Sequence, residues 1–191
     1  MNATKTAPAT FPTHIDLPEH DRQPLIELIN ERLADTADLY SQVKQAHWNV
    51  KGPNFYQLHL LFDQLAGEVF PYIDLLAERV TALGGVALGT VRMAGTGSSL
   101  PEYPVDATDG QVHLKALIER YGVYTANIRK GIDGADKLQD GSSVMIPQAD
   151  VKKSSSPAVT NISSSPAVSG RGPMGSPPGA AGNDVKVHHH S

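Results

Sequence analysis

The 191-residue chain has no cysteine and carries 20 acidic against 16 basic side chains, which excludes disulfides and thiolate metal sites. The acidic excess lies in residues 1–140, where eighteen Asp and Glu face twelve Lys and Arg, a balance that suits cations better than nucleic acid. No secretory leader and no run of 18 apolar residues is legible, so a soluble cytoplasmic protein without membrane contact is expected.

Residues 1–20 are rich in Thr, Pro and Ala, hold Lys5 as their only basic residue, and read as a flexible N-terminal arm that includes His14 and His20. Residues 21–140 read as the folded unit. Asp21 is a helix cap with Pro24 in the first turn. Beyond it Ile26, Ile29, Leu33, Ala37, Tyr40 and Val43 step by threes and fours, the spacing of one buried helix face. His47 extends that stripe, and Gly52–Pro53 ends the helix. A second helix of about 28 residues starts near Asn54. It buries Leu58, Leu61, Leu65, Val69, Tyr72, Leu76 and Val80, and stops at Gly84–Gly85. Residues 86–108 form a long crossover with one short helix near 90–94, which lets a third helix over about 110–138 run parallel to the second. That helix buries Leu114, Leu117, Ile118, Tyr121, Thr125, Ile128 and Ile132 and leaves His113 at the surface.

Three long helices and a crossover predict a fourth helix, but residues 141–191 do not offer one. Ser, Pro and Gly supply 23 of those 51 residues, no aromatic occurs, and SSSPAV appears at both 154–159 and 163–168. The composition is that of a disordered tail. The expected fold class is therefore all-α: a helical bundle lacking its fourth helix, with three long helices, a short crossover helix and a disordered C-terminal tail.

The second helix also carries side chains that ligate metals. His59 with Asp63, and Asp74 with Glu78, are both i, i+4 pairs on one stripe. Asp63 and Asp74 are separated by roughly 16 Å along the axis at about 1.5 Å per residue, whereas metal–ligand bonds span only about 2–2.6 Å. A single helix cannot close both pairs on one ion. Two copies packed antiparallel about a two-fold axis near Glu68 and Val69 would bring His59 and Asp63 of one to Asp74 and Glu78 of the other, giving two equivalent sites. A solvated helix face is the plain alternative for these four residues, and a hydrogen-bonded core histidine is the plain alternative for His47.

The blocks KQAHWNVKGPNF (Lys44–Phe55), HxxxD (His59–Asp63), DLLAERVTALGG (Asp74–Gly85), LGT (Leu88–Thr90) and SLPEYP (Ser99–Pro104) closely resemble the Dps proteins, the mini-ferritins called DNA-binding proteins from starved cells. The similarity runs from about Asp16 to Asp140. It implies a ferritin-like bundle, a dodecameric homo-oligomer, and a ferroxidase that oxidises Fe(II), with peroxide favoured, and stores the iron under stress. The implied iron ligands are His47, His59 and Asp63 of one chain with Asp74 and Glu78 of its partner, holding one iron or a di-iron pair. Trp48, beside His47, reads as packing at the two-fold, with acceptance of radical electrons as the alternative.

Two departures stand out. Pro71 lies inside the second helix, where proline costs about 3 kcal/mol or more if the helix does not bend. The lost fourth helix would forfeit roughly 10–20 kcal/mol of gross burial and part of the cage wall, and a disrupted reading frame would explain it. Two other functions are open on sequence alone. One is nucleoid association through weak DNA binding, for which the tail offers Lys152, Lys153, Arg171 and Lys186. The other is a non-assembling remnant. The closing histidine triplet reads as incidental.

Overall fold

Thirty-one residues from Glu19 to Asn49 make α1, the longest helix of the structure, a computed structural model that describes residues 10–138. Among the described residues it is followed by α2 (Phe55–Ala82), the short α3 (Val91–Gly97) and α4 (Gly110–Lys137). α1 begins two residues before the expected cap, after Pro18, so Glu19 and Asp21 sit in its first turn, where negative charge favours the helix N-terminus. His20 therefore belongs to α1 and not to the arm, its ring 3.3 Å from the Asp21 carboxylate.

Residues 10–17, read from sequence as part of the arm, lie across the end of α2. The Phe11 N–H donates to the Gly84 carbonyl at 2.7 Å, the Thr13 hydroxyl to Ala82 at 2.8 Å, and Arg22 Nη1 to Leu83 at 3.3 Å. Carbonyls that a helix end leaves unpaired are thus satisfied. Gly84 allows this approach: its φ is +82°, and a Cβ there would collide with the Phe11 carbonyl oxygen.

The register of the long helices follows from side-chain pairs. Ile26 lies against Gly85, Tyr40 against Phe70, and Lys44 against Asp63, so α1 and α2 are antiparallel. Leu28 lies against Gly134, Arg32 against Asn127, Thr36 against Tyr124 and Gln42 against Arg120, so α1 and α4 are antiparallel too. α2 and α4 therefore run parallel to one another, as the long connection predicts. The core lies between these helices, with Leu39, Val43, Phe62, Val69, Leu114 and Leu117 in one cluster and Leu25, Ile29, Leu33, Leu76 and Val80 in another.

The crossover runs along α1 and is fastened to it by polar side chains. Asn30 binds both Val86 and Leu88 backbone, Asp35 accepts the Ser99 N–H at 2.8 Å, Asp38 accepts the Ser98 hydroxyl at 2.6 Å, and Gln42 donates to the Pro101 carbonyl at 3.1 Å. Asp35 is fully buried and also receives Asn127 Nδ2 at 3.1 Å, with Arg32 Nη2 at 3.4 Å. A buried carboxylate is stable only when its oxygens are filled in this way. Arg120 of α4 completes the attachment by donating to Gln42 and to the Glu102 carbonyl, and its guanidinium lies over the Tyr103 ring.

Two sequence expectations are corrected here. Ile118 is exposed rather than buried, because the α4 face covered by α1 is centred on Leu114, Leu117 and Arg120. His113 is not a surface residue: it is 0 % exposed, held by the Tyr103 hydroxyl at 2.6 Å from its Nδ1 and by the edge of Phe62. Its Nε2 is buried near the Asn49 backbone without a well-formed hydrogen bond. The expectation of a tail without a fourth helix, residues 141–191, lies outside the described residues.

Burial lowers the His113 pKa against smaller opposing effects from Asn49 and Asp109, while burial pushes the Tyr103 phenol up to about 12, so its hydroxyl keeps its proton. The unfolded chain takes up a proton at His113 near pH ~6.5 that the folded chain resists. Stability present above that pH is therefore lost as the pH falls below it. Urea midpoints measured from pH 7.5 to 5.5 should fall less steeply in His113→Gln than in the unmodified protein; equal slopes would show that His113 does not carry this linkage.

Candidate metal centre

His47 and His59 face one another across the α1–α2 contact with their rings stacked, centroids 3.7 Å apart. Nδ1 of His47 lies 2.9 Å from the His59 carbonyl, and Nδ1 of His59 lies 3.0 Å from the His47 carbonyl. A carbonyl can only accept, so each Nδ1 carries a proton and, in the neutral ring, each Nε2 carries the lone pair. This is the arrangement in which metal-binding histidines are usually found, one ring nitrogen fixed by a carbonyl and the other left to ligate. The Phe55 ring lies 5.2 Å from His59 and closes one side of the pair.

Asp63 joins them from one turn along α2. Its Oδ1 is 3.9 Å from His47 Nδ1 and 2.8 Å from Lys44 Nζ, and its side chain is exposed. The Lys44 ammonium, by hydrogen bond and by charge, holds the Asp63 carboxyl below the usual carboxylate range. Lys44 also lies 5.9 Å from the centroid of Trp48, which is 67 % exposed. Sequence reading singled out Asp63 but missed Lys44 as its partner. The signal was present: Lys44 is three residues before His47 and so shares its helix face.

Asp74 and Glu78 lie farther along α2, on its exposed side. The chain thus brings His47, His59 and Asp63 together and leaves Asp74 and Glu78 apart from them. Among the described residues, no three His, Asp or Glu side chains of one chain converge closely enough to hold a metal ion. Between and around the two groups the same exposed stripe carries Tyr56, Leu60 and Phe70.

An antiparallel pair of long helices, followed by a crossover to a third long helix that runs parallel to the second, is a ferritin-like arrangement, and the ferritin-like domain profile matches residues 26–149. The DNA protection during starvation protein of Agrobacterium fabrum is 43% identical over 131 residues, covering 69% of this chain and 81% of that one. DpsC from Streptomyces coelicolor superposes with a TM-score of 0.78 at 25% identity, over 87% of this chain and 99% of that chain. DpsA14 from the same organism superposes with a TM-score of 0.71 at 29% identity, over 78% and 89%. The chain belongs to the Dps family.

Without Lys44, Asp63 loses both the hydrogen bond and the charge that keep it ionised. In Lys44→Gln the Asp63 carboxyl should titrate at higher pH than in the unmodified protein, as followed by carboxyl carbon NMR; an unmoved titration would separate the two residues in solution.

Proposed function

We propose that the protein oxidises Fe(II) with hydrogen peroxide at sites shared between two chains, stores the ferric product, and so protects DNA from peroxide chemistry. The observation that carries this reading is the paired imidazoles, whose Nδ1 protons are committed to backbone carbonyls. His47, His59 and Asp63 of one chain, with Asp74 and Glu78 of another, make a set of two imidazoles and three carboxylates. That mixture suits Fe(II) and also holds the harder Fe(III) that follows.

Iron is the substrate here. Peroxide takes one electron from each of two ferrous ions and two protons, and leaves as two waters, so no hydroxyl radical is released. The side chains supply binding and charge: neutral Nε2 donors accept the ferrous ion, and the carboxylates offset the charge that oxidation adds. Lys44 bears on the second position, because its ammonium must leave Asp63 before that oxygen can reach an ion. In the family this contact belongs to a cage of twelve, and the relatives' name points to DNA protection. No helix among the described residues is long and apolar enough to cross a membrane, and the site of action we propose is the cytoplasm.

The exposed Leu60 and Phe70 on the ligand stripe favour a second copy as the cover for this face, since scattered charge alone would not call for them. A solvated helix face, the plain alternative, would need neither. Ferrous oxidation by peroxide, followed by ferric absorbance, should slow in His59→Ala and in Asp74→Ala alike. The loss should reach at least the ~10–100-fold typical of disturbing a metal ligand's surroundings, with strand breakage of added plasmid rising in parallel. Rates equal to the unmodified protein in both variants would rule the assignment out.

A further inference from the structure

α2 contains two features that its own chain leaves without a use. Gly67 stands in the middle of a 28-residue helix, where glycine is the poorest helix former after proline. A Cβ built at Gly67 meets no atom within 4 Å, so no contact in its own chain requires the space. Phe70 is 58 % exposed even though its ring touches Tyr40, with centroids 5.4 Å apart. An empty place and an uncovered aromatic ring lie three residues apart on one stripe.

The register of the shared site relates them. Joining His59 to Glu78 and Asp63 to Asp74 across a two-fold fixes which residues of two antiparallel α2 helices lie level. In that register Gly67 is level with the partner's Phe70, and Phe70 with the partner's Gly67. At about 100° per residue both positions fall about 30° from the middle of the ligand stripe, one on each side. Each is one turn from a ligand: Gly67 follows Asp63 by four residues, and Phe70 precedes Asp74 by four.

The geometry points to a reciprocal contact in which Phe70 of each chain lies on the bare backbone at Gly67 of the other. This inference rests on the shared-site reading and assigns Gly67 and Phe70 as positioning residues for it. They touch no iron. Their contact sets the axial register and the separation of the two α2 helices, and a helix that slipped by one turn would move its ligands by about 5.4 Å. Metal sites tolerate errors of only about 0.2 Å in ligand distance, so the spacing has to be enforced by packing close to the ligands. Pro71 gives a competing reason for the glycine, because a proline ring presses on the carbonyl four residues back, which is that of Gly67. The experiment has to separate these two causes.

Four variants of the full chain do so: Phe70→Ala, Gly67→Leu, Gly67→Leu with Pro71→Ala, and the exchange Gly67→Phe with Phe70→Gly. Association is read by sedimentation and native mass spectrometry, the site by ferrous oxidation rate, and the helix by thermal unfolding of the dissociated chain. Phe70→Ala should weaken association about thirtyfold or more, as truncation of a central aromatic anchor does. Gly67→Leu should weaken association and slow oxidation while making the dissociated chain more heat-stable, opposite signs that a merely helical role cannot produce. The exchange should restore most of the association, because one ring and one gap remain level in each pair.

If the unmodified protein assembles and oxidises iron while Gly67→Leu and Phe70→Ala match it, this inference fails and the shared site stands. If Pro71→Ala restores association to Gly67→Leu, the glycine serves the proline alone and the inference is again overturned. If the unmodified protein is a monomer that binds no iron, the shared-site reading fails and takes this contact with it.

Discussion

An α-helix is a rigid ruler, and this chain places the two groups of proposed metal ligands at different marks along one of them. His59 and Asp63 are roughly three to five turns from Asp74 and Glu78, at about 5.4 Å per turn, and no rotamer change closes that gap. The α1 helix adds His47 to the first group through the stacked pair with His59, which strengthens one half and does nothing for the other. On the function proposed above, each chain offers unequal halves, and the ligand set is complete only where a second copy supplies what the first lacks. Under that proposal, oligomer formation and iron chemistry become a single property.

The rest of the fold holds α2 in position against α1. The strap of residues 10–17 closes the far end of α2 by binding its last carbonyls. At the other end the α4 cap and the crossover fix α1 near His47, through the Lys51 N–H to the Thr108 carbonyl at 2.9 Å and through the His113–Tyr103 pair. Midway, the buried Asp35 and the Gln42–Arg120 pair join α1 to both the crossover and α4. Buried polar groups of this kind favour one arrangement of helices, since any other leaves charges or amides unpaired. The rings of His47 and His59 can then meet in one register, at a distance that lets each reach the other's carbonyl.

Much of this was legible in the residue pattern, for reasons that also explain what was not. The three long helices show themselves because their apolar residues recur at threes and fours, and because Gly52–Pro53 and Gly84–Gly85 interrupt the pattern. The two His/Asp and Asp/Glu pairs of α2, proposed above as ligands, show themselves because i, i+4 spacing is a local property. His113 was misread because its burial comes from distant chain, namely Phe62 and the Tyr103 loop, and no local spacing carries that. Asp35, Gln42 and Arg120 look like solvent-facing residues until the crossover lies across them. Ile118 has the right spacing for the core but lies beyond the face that α1 covers. The exchange of carbonyls between His47 and His59 depends on the angle between two helices, which the sequence expresses only through packing.

The proposed division of the site between chains is tested most directly by mixing two defective proteins. One lacks the first half, His59→Ala with Asp63→Ala; the other lacks the second, Asp74→Ala with Glu78→Ala. Neither alone should oxidise Fe(II) at an appreciable rate. After joint unfolding and refolding at equal amounts, random pairing should restore about a quarter of the unmodified sites, since half the pairs are mixed and each mixed pair has one complete site. Activity that stays absent in the mixture, or that one of the parents already shows alone, would contradict a site made of two chains.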